Sequence, residues 1–268
     1  MINNFKKTVK QTVATFRKCW LPVVGVNIGL FILTFLLTLL VVIILGQNFI
    51  NAIALLGTNP AAAINFLPQL VVFVLLLLFV FTSFYCAAVW LLFVIKNNAL
   101  IGKNLFKDAF FEACRKIWKV IVWGIILFVF FLLVGSILGL ILDKYFIFLY
   151  IPVIMVSIPC IYTISFGLMF LEGSFKDILI QSFNLGLKKW GRILVTYIVG
   201  VLIFLICLRI SGLMQVIFAK IGFATIGKLV NAVINVFLQA FAYCFFTVFY
   251  LNTAGIKVPS KTEQIPQK

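Results

Sequence analysis

Six stretches of almost unbroken apolar residues divide the chain, at about residues 21–45, 70–95, 120–142, 145–171, 193–214 and 229–251. Each is long enough to cross a hydrocarbon core of about 30 Å as a helix rising about 1.5 Å per residue. The pattern predicts an all-α fold: a polytopic membrane bundle of six transmembrane helices over residues 1–255, then a short polar tail at 256–268. At roughly 20 residues per span plus connections, no length is left for a soluble catalytic domain.

A different pattern precedes the odd-numbered spans. Phe5-Lys6 leads through Gln11-Thr12 to Lys18 and Trp20, and Phe175-Lys176 leads through Gln181-Ser182 to Lys188 and Trp190, with the same Phe-to-Trp spacing. A middle version, Phe106-Lys107-Asp108 through Arg115-Lys116 to Trp118, is three residues shorter. The even-numbered spans carry a weaker echo in Tyr85-Cys86, Pro159-Cys160 and Tyr243-Cys244. The chain therefore reads as three repeats of an interfacial amphipathic helix plus a transmembrane hairpin. At about 100° per residue, Phe5, Val9, Val13, Phe16 and Trp20 share one face of the first segment, and Lys6, Lys7, Lys10, Arg17 and Lys18 the other. In the last segment Phe175, Leu179, Phe183 and Leu187 line up opposite Asp177, Asn184 and Lys188; in the middle one Asp108, Glu112 and Arg115 oppose a broad apolar side. Such helices suit two uses, lying in the headgroup plane or docking a membrane or cytosolic protein partner.

Composition sharpens this picture. The chain is 65% hydrophobic and 10% charged, far from the half-apolar, quarter-charged mix of soluble domains. Its 22 basic residues against 6 acidic ones give a net charge of +16, which in a soluble protein would suggest nucleic acid. Here the cations sit between apolar blocks, so cytoplasmic retention and anionic lipid headgroups explain them, and no nucleic-acid partner is expected. Eighteen fall in the N-terminal stretch, the second and fourth connections and the tail, against Lys144, Lys220 and Lys228 on the other side, with Arg209 near that end of the fifth span. Both termini are thus expected in the cytoplasm, and the protein in the cell (inner) membrane. The basic start, the length of the first span and its lack of a small-residue exit predict that it is retained and not cleaved.

The residues that carry most chemistry are scarce. There is no His, which removes the commonest general base and metal ligand. Cys19, Cys86, Cys114, Cys160, Cys207 and Cys244 make no C-x-x-C and read as small packing residues. No acidic residue lies deep in a predicted span, against a proton-coupled pump. Asp143 in the second outer turn and Glu172 at the end of the fourth span read as helix caps. Arg209 is placed to snorkel to the outer interface, a substrate-anion site being the alternative. Asn231, Asn235, Gln239, Tyr243 and Thr247 recur every four residues as a polar stripe, which must face protein or water. Hydrogen bonding to Asn27, Thr34 or Thr38, or lining a substrate cavity, would satisfy it. Pro152 and Pro159 are expected to kink the fourth span, and Gly135 and Gly139 form a G-x-x-x-G packing signal in the third.

The run Leu171-Glu172-Gly173-Ser174-Phe175-Lys176-Asp177-Ile178-Leu179, followed by Ser182-Phe183, Leu185, Lys188 and Trp190-Gly191, resembles a prokaryotic six-helix membrane family. It groups the membrane domain of some glycerophosphodiester phosphodiesterases with uncharacterised YciC-like proteins. In that family a Pro-containing span ends in a short E-G-x-x-x-x-A-L stretch before the next span; here Ile178 stands where the family usually has Ala. The resemblance implies a bacterial cell-membrane protein, and no hydrolytic activity comes with it.

The expected function is that of a non-enzymatic integral membrane protein without cofactor, engaging anionic headgroups or a membrane partner. The residues expected at that interface are Lys6, Lys10, Arg17, Trp20, Arg115, Lys116, Trp118, Lys188, Lys189 and Trp190, with Asn231, Asn235, Gln239 and Tyr243 as the candidate polar cavity. The alternative is the permease subunit of a transporter driven by a separate ATPase, the helix around Phe106 to Trp118 coupling the two; no phosphate-loop motif occurs in this chain.

Overall fold

The computed structural model describes residues 2–56, 67–103, 105–142 and 146–256. These residues form helices and no strand: α1 (Ile2–Leu56), α2 (Leu67–Ile101), α3 (Phe106–Leu142), α4 (Phe146–Phe170), α5 (Phe175–Lys188), α6 (Trp190–Lys220) and α7 (Ala224–Ala254). Four stretches among them are long and apolar enough to cross a membrane: Phe106–Leu140, Phe148–Phe170, Trp190–Lys220 and Ala224–Ala254. The first two expected spans fall on α1 and α2, where many side chains lie outside the described residues. The Asp143-Lys144 turn, residues 57–66 and the tail from 257 onward also lie outside them.

Helices outrun the apolar blocks that predicted them. No Gly or Pro interrupts the sequence between Phe106 and Val120, so nothing stops α3 from running unbroken through the expected membrane boundary. The middle amphipathic segment is accordingly the first part of α3 and not a separate helix. The last one is separate, as expected. Gly173 turns the chain with φ +137, a region that side-chain-bearing residues rarely adopt. Ser174 then caps α5, its hydroxyl oxygen accepting from the Asp177 N–H at 3.2 Å and donating to the Asp177 carboxylate at 2.5 Å. Pro152 and Pro159 both lie inside a continuous α4.

The chain divides into two units, residues 1–21 with 89–268, and residues 22–88. In the smaller unit the Asn27 amide is satisfied locally, donating to the Val23 carbonyl at 2.8 Å, while Ile28, Ile32, Phe35, Leu36 and Ile43 are exposed. In the larger unit the buried residues gather at one end of the helices: Phe93 and Val94 of α2, Ala109, Ala113 and Val120 of α3, Leu168 of α4, Ile178 of α5, Ile193 of α6, and Val248, Tyr250 and Leu251 of α7. Toward the other end, Phe128, Leu133 and Leu140 of α3, Phe148 and Ile151 of α4, Leu202, Ile206 and Leu213 of α6 and Leu229 and Val233 of α7 are all exposed. In water each such side chain would forgo about 1.5–3 kcal/mol of burial. Against lipid tails it forgoes almost nothing.

Small residues set the closest packing. A Cβ on Gly186 of α5 would lie 2.7 Å from Thr163 Oγ1 and 3.0 Å from the Cys160 Cα, and one on Gly167 of α4 would lie 2.0 Å from Ser182 Oγ. Ser182 and Gly186 thus let α5 fold back along α4 with almost no gap. The buried face of α5 is Ile178, Ser182 and Gly186, whereas Phe183 and Leu187 of the expected apolar face are exposed. Close helix contact selects small side chains, here Ser182 and Gly186, and leaves Phe183 and Leu187 outside it. Of the expected G-x-x-x-G pair, a Cβ on Gly135 would lie 3.6 Å from the Tyr150 ring and one on Gly139 would meet nothing within 4 Å among the described residues.

Candidate functional site

The ion pairs of the larger unit among the described residues lie at the packed end. Lys96 Nζ is 2.6 Å from Glu112 Oε1 and sits over the Phe93 and Phe170 rings, 5.2 and 5.7 Å from their centroids. Lys116 donates to Glu172 Oε1 at 2.7 Å and to the Leu171 carbonyl at 3.0 Å, Arg115 approaches the same carboxylate at 3.6 Å, and Lys119 donates to the Gly173 carbonyl at 2.8 Å. Three cations of α3 therefore meet the carbonyl-rich end of α4, where a helix dipole favours positive charge. Glu172, expected to be a cap, is instead the shared ion-pair acceptor. Its hydrogen bond from Lys116 holds its carboxyl below the usual range against a smaller desolvation effect.

The expected interface residues separate into exposed and engaged groups. Lys6, Lys10, Arg17, Arg115 and Lys188 are exposed. So are Trp20, 40% accessible and stacked on Phe237 at 5.8 Å, and Trp118, 51% accessible and stacked on Phe175 at 6.1 Å. Lys116 is buried in its ion pair, with its side chain 3% accessible, so it helps hold α3 to α4 and is withdrawn from lipid. Lys189, at the break between α5 and α6, donates to the Thr253 carbonyl in the last turn of α7, and burial lowers its pKa. The Trp190 indole donates to the Val156 carbonyl at 3.0 Å, three residues before the Pro159 that interrupts the helical hydrogen-bond ladder.

The first segment uses a face that its hydropathy does not single out. Thr8, Thr12, Thr15 and Cys19, spaced by four, three and four residues, are its buried stripe, lying next to the apolar face expected from hydropathy. Phe5 and Phe16 flank it, meeting Phe245 and Phe241 of α7 edge-on at 6.0 and 5.6 Å. The Asn252 amide donates to Gln11 Oε1 at 2.8 Å and to Thr8 Oγ1 at 3.2 Å. Cys19 and Cys244, both buried, place their sulfurs 3.6 Å apart. Small residues at helical spacing were the available signal for this docking, as they were for α5.

The polar stripe is divided in the same way. Ser211 donates to Asn231 Oδ1, Asn231 Nδ2 donates to Gln215 Oε1 at 2.8 Å, and Asn235 donates to Asn231 Oδ1 at 3.4 Å. These partners belong to α6 and α7; Asn27 bonds within its own helix, and the side chains of Thr34 and Thr38 lie outside the described residues. Gln239 is exposed, while Tyr243 packs against the core at the other end of the stripe. Among the described residues no three His, Cys, Asp or Glu side chains come together as a metal site would require.

All-helical build, four helices able to cross a bilayer and apolar side chains turned outward along them define the class: a multi-pass membrane protein. No family model matches the chain, and no curated protein and no solved structure is similar to it.

Proposed function

We propose that the protein is a non-enzymatic bacterial cell-membrane protein that engages anionic lipid headgroups through the basic flanks of its helices. The observation that carries this reading is the coincidence of exposed cations and exposed indoles at the packed end: Lys6, Lys10, Arg17, Arg115 and Lys188 with Trp20 and Trp118. Indoles favour the headgroup level, and each cation near an anionic surface contributes about 1 kcal/mol. On this reading the chain has six spans in three repeats, with both termini cytoplasmic, as the distribution of eighteen basic residues against three supports. The likeness around Glu172 to Trp190 to the six-helix family of the phosphodiesterase membrane domain and the YciC-like proteins fits the same plan.

The test is lipid analysis of the full chain purified in mild detergent, wild type against a K6Q/K10Q/R17Q variant. Enrichment of anionic over zwitterionic lipid, lowered in the variant, is the expected result. Equal lipid content in the two proteins would overturn the reading. Recovery of a stoichiometric nucleotide-binding subunit would replace it with the permease reading.

A further inference from the structure

An apolar cavity of about 500 Å³ lies between α3, α4 and α5. It exists because two packing distances disagree. Ser182 and Gly186 draw α5 tightly onto α4, while α3 meets α4 through larger groups, Trp123 donating to Ser165 Oγ at 3.0 Å and Tyr150 lying against Gly135. The space left over is lined by Trp123, Leu127, Phe130, Ile161, Ile180 and Phe183 among others. Ser157, also in its wall, turns its hydroxyl back to the Val153 and Ile154 carbonyls at 2.7 and 2.9 Å. Nothing polar is therefore offered to an occupant. Phe130, Ile180 and Phe183 are themselves exposed, so the cavity opens sideways onto the lipid-facing surface.

Cations stand near it where α3 and α5 enter its wall. One turn before Trp123 on α3 stands Lys119, and one turn before Ile180 on α5 stands Lys176, exposed. Between them Trp118 stacks on Phe175, with the Lys119 ammonium 5.9 Å from the Trp118 ring centroid. The two nearby carboxylates are committed, Glu172 to Lys116 and Arg115, and Asp177 to Ser174. The cavity is too small for a protein segment: a helix about 10 Å across would fit little more than one turn.

We propose that this cavity seats one acyl chain of an anionic phospholipid, with the phosphate held by Lys119 and Lys176 beside the Trp118–Phe175 stack. The proposal rests on the lipid-engaging reading above and narrows it to a single built site. Apolar wall, lateral opening and cations at one end match the three parts of such a lipid: chain, path of entry and headgroup.

The experiment is native mass spectrometry of the full chain in mild detergent, titrated with phosphatidylglycerol and, in parallel, with glycerol 3-phosphate. One phosphatidylglycerol is expected to bind more tightly than the rest, and glycerol 3-phosphate is expected not to compete for it. Leu127→Trp, which fills the cavity, is expected to abolish that one site. Lys176→Gln is expected to weaken it about fivefold, and Lys119→Gln with Lys176→Gln about 30-fold. Unchanged tight binding in Leu127→Trp overturns the acyl-chain site, as does competition by glycerol 3-phosphate. Unchanged binding in Lys176→Gln overturns the headgroup assignment, and this exposed position tests it without disturbing the Lys119 contact to Gly173. The K6Q/K10Q/R17Q variant lies outside the cavity and is expected to keep this site, so loss of general lipid enrichment and loss of the built site are read separately.

Discussion

Within the larger unit, the two ends of the helices follow different rules. At the packed end, residues such as Phe93, Leu168, Ile178, Val248 and Tyr250 are buried, and charged groups are paired across helices. At the other end, Leu140, Phe148 and Leu213 are among the most exposed large apolar side chains of the described residues, and the interhelical polar contacts described there are those of α6 with α7 and the Tyr150 hydroxyl donating to the Phe131 carbonyl at 3.4 Å. The difference teaches where the hydrophobic effect operates in such a protein. Lipid tails are as apolar as leucine, so a span gains little by burying its large residues against another helix. At the packed end the helices instead bury large apolar residues against one another and pair charges between them.

Substitutions that carry one end's rule into the other test this contrast. Gly186→Val should have the largest effect. Its Cβ meets backbone at Cys160 and Pro159 as well as the Thr163 side chain, and such overpacking costs about 1–3 kcal/mol. Thermal unfolding in detergent should show a clear fall in the transition temperature. Glu172→Gln comes next. It offers the buried Lys116 ammonium a neutral amide oxygen in place of the carboxylate beside the Leu171 carbonyl, a loss of about 1 kcal/mol once the exposure of Glu172 is allowed for.

The same residue gives a pH signature. Its folded-state pKa lies below its unfolded one, so its contribution is full above the ordinary carboxylate range. That contribution is lost as the pH falls through the depressed value. Unfolding followed across acidic pH should therefore show a smaller acid-side loss in Glu172→Gln than in wild type.

At the open end the effects should shrink. Asn231→Leu removes its contacts to Ser211, Gln215 and Asn235, and interhelical hydrogen bonds in membranes average about 0.6 kcal/mol. Gly139→Val, with nothing within 4 Å of its Cβ, should stay within about 0.5 kcal/mol of wild type. If Gly139→Val destabilises as much as Gly186→Val, the two ends do not differ as described.

The helices of the larger unit were legible because a bilayer imposes length and apolarity on a span, and sequence displays both. The expected runs at 145–171, 193–214 and 229–251 fall on α4, α6 and α7. Their pairing was less legible. Hydropathy gave α5 an apolar face with Phe183 and Leu187, expected to meet lipid or a partner, and gave no sign that Ile178, Ser182 and Gly186 hold the helix to α4. In α1 the apolar face with Val9 and Val13, likewise expected to meet lipid or a partner, gave no sign that Thr8, Thr12, Thr15 and Cys19 are the buried stripe. In both helices the decisive property is side-chain size at helical spacing, which a hydropathy pattern hides. The Lys96–Glu112 and Lys116–Glu172 pairs join residues 16 and 56 positions apart, and periodicity carries no information about such distances. The candidate cavity was less legible still, since it arises from a mismatch between two helix contacts.

The docking of residues 5–20 on the far part of α7 also bears on how the chain is made. Cys19 and Cys244 touch across 225 residues of sequence, so α1 finds this partner in a helix synthesised 225 residues later. At about 5–20 residues per second, that wait is on the order of 10–50 s. Throughout it, Phe5, Phe16 and Trp20 have no α7 to cover them. A nascent chain stopped before α7 should be held open at its beginning, a target for chaperones or membrane quality control that the finished protein no longer presents.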